Sequence, residues 1–391
     1  MRSPRVLGAL LALALVAGAG CDEEKEAAGP LGPAARWLWS HQLQDGSWRS
    51  EKYAVLRTGQ AYTPFVLWTL LEVPESVCPR PRGAVERAIA FIRSSVSAEG
   101  CLGKSDPDLI EYPNYATSYA LRCLVRAGRP DDEPLIERMV RYLASQQFSE
   151  ANGFEPGSRG YGGWGFGAAR PTPTHPGHMD LAHTRRVLEA LSVASVGSGA
   201  FARAEAFLAV LQRRPGTRQP RDPSVENPEG ELAPDGGFYL SPVVLGANKG
   251  RHDPRTGGYR SYATATAEGI LALLAAHVAA TDERVLAARR WLEEHPSLDS
   301  PAGIPRDHPE PWYAALDFYH LAVRAEAQDA LGMGGEWRGA IVERLESKAR
   351  PDGSFLNDES GLMKEDDPIL ATSLAVLALR HAREASAKRP L

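Results

Sequence analysis

Apolar residues recur along most of this chain with helical spacing, and the recurrence itself repeats. Six segments carry a head residue followed four and seven positions later by large apolar side chains: Thr63, Thr117, Thr184, Thr266, Ala314 and Thr372 at the head. Leu67, Leu121, Leu188, Ile270, Phe318 and Val376 stand at the fourth place, and Leu70, Leu124, Leu191, Leu273, Leu321 and Leu379 at the seventh. Positions 0, 4 and 7 share one face of a helix, so each segment is predicted to be a helix with one uniformly buried stripe. The third place is small in several copies (Ala120, Gly269, Ala375), which suits close packing on that face.

A second apolar-faced helix precedes each of these: Ala34–Leu43, Ala84–Val96, Leu135–Gln147, Ala200–Arg213, Glu283–Glu294 and Trp337–Ala349. Glycine turns that end in an aromatic are expected between partners. They read Asp45-Gly46-Ser47-Trp48, Glu99-Gly100, Tyr161-Gly162-Gly163-Trp164, Asp235-Gly236-Gly237-Phe238, Gly257-Gly258-Tyr259 and Asp352-Gly353-Ser354-Phe355. Glycine permits the positive φ of a reversal, and the aromatic can fill the seam between two helices. Six helical hairpins in series close most simply into two concentric layers, with the Thr-headed helices inside. The fold expected is therefore all-α, an α/α toroid of six hairpins spanning residues 31–383, with 384–391 as a flexible tail.

Gln42-x-x-x-Gly46-x-Trp48 resembles the QW repeat of squalene–hopene and oxidosqualene cyclases, and the wider pattern is similar to the prenyltransferase and squalene-cyclase repeat superfamily. The resemblance implies the same toroid, with a central cavity. It also implies an acid: in that family an Asp-x-Asp-Asp-Thr segment at the head of an inner helix protonates a polyene. Here the third repeat reads Asp180-Leu181-Ala182-His183-Thr184, which keeps only the first acid, and Asp366-Asp367 lie displaced in the sixth. A lone Asp before a helix more often caps it than donates protons. Asp180 and His183 are nonetheless the catalytic candidates if the chain is a diverged cyclase-like enzyme. Zinc as in protein prenyltransferase β-subunits would need an Asp-x-Cys, and a complement-type thioester a Cys-Gly-x-Gln; neither occurs.

The positions that vary between repeats, the second and fifth, are the ones expected to face the cavity. They supply Phe65, Trp68, Tyr119, Arg122, Arg186, Glu189, Glu268 and Tyr319, which with Trp164 and Tyr262 from the long loops form the ligand-binding candidates. Aromatics mixed with charges suit an isoprenoid or another amphiphile better than a bare hydrocarbon. All inner helices point their N-termini at one mouth, where the loops Phe148–Met179 and Arg214–Tyr262 should rise side by side and an anion could bind. His175, His178, Asp180 and His183 are of types that suit zinc, but their uneven spacing in a Pro-Gly setting leads to the expectation of no metal and no cofactor. A non-catalytic scaffold for protein partners is the competing class, and glycan processing by two facing carboxylates a further option.

Composition adds little to the fold and much to location. A formal net charge of −5 without a long basic run argues against nucleic acid. Arg2 and Arg5, the apolar run Val6–Ala17 and then Gly18-Ala19-Gly20-Cys21 make residues 1–20 an expected export signal. Cys21 after small residues resembles the lipobox of bacterial lipoproteins, which implies a lipid anchor on its sulfur, with residues 21–30 as an acidic tether in the cell envelope, facing periplasm or exterior. Cys78 and Cys101 flank one helix, roughly 20 Å apart, too far for a disulfide.

Overall fold

A computed structural model describes residues 29–383 except 107, 196, 198 and 218. The expectations for residues 1–28 and 384–391 lie outside it. Among the described residues there are six hairpins. The outer helices are α1 (Leu31–Ser40), α3 (Ala84–Ser95), α5 (Glu133–Ser145), α7 (Gly199–Leu211), α9 (Glu283–Glu294) and α12 (Trp337–Lys348). The inner helices are α2 (Tyr62–Glu72), α4 (Pro113–Ala127), α6 (Leu181–Val193), α8 (Ala263–Ala275), α11 (Phe318–Ala330) and α13 (Pro368–Ala382), with the single turn α10 (Trp312–Ala315) before α11. Among the described residues there are no named strands, only isolated bridges in loops.

Each inner helix packs on the next, and α13 packs back on both α1 and α2, which closes the ring. Bonds across the closure fix it: Arg380 Nε donates to the Glu72 carbonyl at 3.0 Å, and Trp37 Nε1 to Asp352 at 3.2 Å. Inner helices are buried nearly all round, outer ones on a single stripe, as two concentric layers require. Cys78, Cys101 and Cys123 are free and buried. Among the described residues no helix is long and apolar enough to cross a membrane.

The repeated threonines have one task. The hydroxyls of Thr63, Thr117, Thr184, Thr266 and Thr372 accept the backbone N–H of Trp48, Leu102, Trp164, Phe238 and Phe355, at 2.9–3.1 Å. Each glycine turn is thus stitched to the first turns of the inner helix it precedes. The aromatic then lies in the seam: Trp48 and Trp164 are fully buried, and their indole N–H groups donate to the carbonyls of Leu38 and Leu143 on the outer helices. A Cβ on Gly269 would come within 2.5 Å of the Phe238 ring, which explains the small residue at that place.

Gln42 of the motif donates to the carbonyls of Gly46 and Ala84, tying its turn to the next outer helix. Gln147 bonds Gly162 and Ala200, and Gln212 bonds Gly236 and Arg284, in the same manner.

The fifth hairpin departs from the expected register. Ala314 lies in α10, and Leu316–Asp317 separate that turn from α11, which Phe318 opens. The inner helix therefore begins later than the aligned head residue. Gly257-Gly258-Tyr259 also proves to belong to the loop before α8, not to the fifth hairpin. The link from α9 to α11 runs through Gly303 instead, whose positive φ lets it pass the backbone of Ser261 and Tyr262.

Candidate functional site

All inner helices present their N-termini to one end of the ring, where helix heads and loops enclose a cavity of about 400 Å³. Its wall is chiefly aromatic and aliphatic: Tyr62 and Phe65 from α2, Tyr112 and Tyr115 near the start of α4, Phe166, Tyr262, Trp312 and Tyr319, with Leu240, Leu316, Leu370 and Leu374 between them. Apart from the tyrosine hydroxyls, polar groups enter at a few points only, namely His178, Asp180, His183, Lys249, Thr264, Glu268, Lys364 and Glu365. A volume of this size with few convergent polar groups is typical of small-molecule sites.

Both long loops contribute, as their place in the chain implied. They are joined by Leu181 N–H donating to the Leu240 carbonyl at 2.9 Å and by Ser241 Oγ donating to the Met179 carbonyl at 2.7 Å. Of their aromatics, Phe166 and Tyr262 reach the cavity, whereas Trp164 is spent in the seam between α5 and α6.

The expected anion site at the helix heads is filled by the protein's own acceptors. Glu111, buried, accepts from Thr58 and Ala61 N–H just before α2, and Asp367 accepts from Ile369 N–H on α13. Asn114 N–H on α4 donates to the Phe166 carbonyl, and Ala263 N–H on α8 to that of Ala302. Glu365 takes the N–H groups of Asp317, Phe318 and Tyr319 at the head of α11, at 2.8–3.0 Å. Burial pushes the Glu365 carboxyl up to about 8, against the pull of these donors and of Asn357. The free N–H groups at these helix heads are therefore already partnered.

Asp180 is the corresponding cap of α6. Its Oδ1 accepts the His183 N–H at 2.9 Å and faces His183 Nδ1 at 3.0 Å, while Oδ2 faces His178 Nε2 at 2.7 Å. Burial alone would raise its pKa, but the two imidazoles hold the carboxyl well below the usual range. A carboxylate held ionised in this way is a hydrogen-bond acceptor or a ligand, neither a proton donor nor a strong base. His183 Nε2 is buried without a partner, and Phe166 stacks on the His178 ring at 4.4 Å and tilts against His183 at 4.7 Å. His175 lies apart, exposed and bonded to Thr174. Lys249 lines the same cavity with its ammonium 4.8 Å from the Trp312 ring centroid, and burial pushes it down to about 8.

Below the cavity the ring is plugged by charge. Arg185 has no exposed side-chain surface and reaches three carboxylates: Glu189 at 2.6 Å, Glu268 at 3.1 Å, and Glu326. Arg122 and Arg186 pair with Glu189 at 2.8 and 3.0 Å. Arg122 also stacks over Trp68 at 3.9 Å, and Arg186 lies 5.4 Å from the Tyr119 ring centroid.

The sequence-derived candidates are thus divided. Asp180, His183, Phe65, Tyr262, Glu268 and Tyr319 line the cavity. Trp68, Tyr119, Arg122, Arg186 and Glu189 belong to the plug: the fifth-place residues Trp68, Arg122 and Glu189 lie about a helical turn deeper than the second place, and second-place Arg186 pairs with Glu189 and lies beside the Tyr119 ring. Glu268 joins the two zones, accepting from Arg185 below and from the Tyr319 hydroxyl beside the cavity. Missed in the sequence were Arg185, which sits beside a variable position rather than on one, and Lys249 and Glu365, which stand in loops without a motif.

No family model matches this sequence, and no curated protein matches it. Solved structures do resemble it. A protein from Actinoplanes shares 17% identity at a TM-score of 0.53, covering 90% of this chain and 98% of that one. The type II terpene cyclase MstE from Scytonema, in a complex with geranylgeranyl dihydroxybenzoate, is 14% identical at 0.53, over 93% and 97% of the two chains. The same cyclase with merosterolic acid A gives 13% and 0.55 over the same shares. At these identities the likeness establishes the fold, an all-α toroid shared with terpene cyclases.

Proposed function

We propose that this chain holds an isoprenoid or comparable amphiphile in its central cavity, and that Cys21 anchors it by lipid to the cell envelope. The observation that carries the ligand reading is the cavity itself: about 400 Å³ of chiefly apolar, aromatic wall with its polar groups gathered at few points. An apolar chain would lie against the rings, and a polar head would meet His178, Asp180, His183 and Lys249. The terpene cyclase that shares the fold was captured with a geranylgeranyl compound, which supports the same ligand class. The hydrogen bonds that Asp180 accepts set the reading apart from polyene protonation at that residue. The anchor rests on the residues before and at Cys21.

Native mass spectrometry of the full-length chain tests the ligand reading after incubation with farnesyl and geranylgeranyl alcohols and diphosphates. One retained molecule per chain is expected, and its loss in Ala182→Trp, which places an indole in the cavity wall without touching the charge plug. An empty chain, or retention indifferent to Ala182→Trp, would turn the reading toward a scaffold.

A further inference from the structure

We propose that His178, Asp180 and His183 form a binding site for one divalent transition-metal ion of the zinc class, open to the cavity. One donor atom from each residue lies within 4.8 Å of the others. Around a tetrahedral ion with donors at about 2.0–2.2 Å, the donors stand about 3.3–3.6 Å apart, so the widest pair closes by about an ångström on binding.

Two imidazoles and a carboxylate are a borderline donor set, suited to Zn²⁺, Co²⁺ or Fe²⁺ rather than to Mg²⁺ or Ca²⁺. A separate observation points to a missing partner: His183 is 8% exposed, lines the cavity, and its Nε2 is buried with nothing to bond. Such an orphan nitrogen carries a desolvation cost that an ion or a ligand would relieve.

The sequence had argued against a metal because the cluster sits in a Pro-Gly loop. In the fold that loop is pinned. Phe166 N–H donates to the His178 carbonyl at 3.1 Å, and Asp180 N–H to that of Trp164 at 3.3 Å. Asp180 is fixed as the cap of α6, and the Phe166 ring holds both imidazoles. Ligands whose rotamers are set before the ion arrives lose little entropy on binding it. Since all three residues line the cavity, the ion's remaining positions face whatever occupies it.

Cobalt(II) titration of the metal-stripped full-length chain, followed by visible absorption without added lipid, reads the site independently of the ligand proposal. Expected is one equivalent bound and displaced by zinc, weakened roughly tenfold or more in His178→Ala and in His183→Ala, and unchanged in His175→Ala. His178 lies in a loop and is partly exposed, so its variant decides the matter even where His183→Ala fails to fold. No binding by the native chain, or binding that survives both ligand variants, would overturn the site.

Discussion

Replacing Arg185 by Met removes the cation that three carboxylates share. The plug holds three guanidinium groups (Arg122, Arg185, Arg186) against three carboxylates (Glu189, Glu268, Glu326), so it is neutral as it stands and carries one unmatched negative charge after the change. Met fills much of the stem's volume, so the loss is electrostatic more than steric. Breaking a buried ion pair by removing one partner costs about 3–5 kcal/mol, because the surviving charge stays desolvated. Over a folded body of roughly 350 residues, the unfolding entropy is about 0.75 kcal/mol per degree, so Tm should fall by roughly 4–7 °C. The exposed Arg289–Glu293 pair is the control: Arg289→Met should cost under about 0.5 kcal/mol, below one degree. Adding Glu268→Gln to Arg185→Met rebalances the charge and should recover part of the loss. Differential scanning calorimetry of the four proteins gives the comparison. If Arg185→Met melts within a degree of the native chain, the shared cation does not hold the three carboxylates in place.

Two further outcomes follow from single contacts. His320 is fully buried against Thr264, with Arg324 and Arg344 adding positive charge, and its pKa is pushed down from 6.5 to about 3. Between those values the unfolded chain binds the extra proton, so His320 costs the native state stability as pH falls below 6.5, by up to about 1.4 kcal/mol per pH unit. His320→Gln should flatten the decline in urea midpoint between pH 6.5 and 4, and an unchanged slope would refute the assignment. Thr372→Val keeps the shape of α13 but leaves the Phe355 N–H, now bonded at 2.9 Å, without an acceptor in a buried seam. A loss of about 1–3 kcal/mol is expected by chemical denaturation, against about 0.5–1.5 for an ordinary solvated hydrogen bond.

Periodicity made the hairpins legible because burial of a helix stripe is a local property of sequence. The outer helices fall within a few residues of where the spacing puts them, Glu283–Glu294 at both of its expected ends. What periodicity could not convey was which polar group meets which. Thr63 and its counterparts repeat for a hydrogen bond to a turn that is 15 to 28 residues away, and nothing in a helical wheel signals it. The fifth repeat failed for a local reason. Leu316–Asp317 interrupt the helix, and Glu365 from the sixth repeat caps the late start, a contact across 46 to 48 residues. The cavity wall was half legible for the same cause: a variable position marks a residue that faces inward, but depth along the axis decides whether it meets a ligand or another charge.

The charge plug limits how the proposed amphiphile would lie. A toroid lined throughout by aromatics would hold an apolar chain at any height and in either direction. Here the lower half is closed by paired charges whose desolvation has already been met, and an apolar tail entering it would have to break those pairs. The upper half offers rings on most of its circumference and the His178–Asp180–His183 cluster with Lys249 at one side. At the place where the cyclase pattern has an acid, this chain has a carboxylate turned into an acceptor by its two histidine neighbours. Under the proposed function, Asp180 grasps a polar or electron-poor group rather than giving a proton to an alkene. Under the proposed reading, the amphiphile enters from the loop end, with its head held against that cluster and its chain confined to the upper aromatic wall.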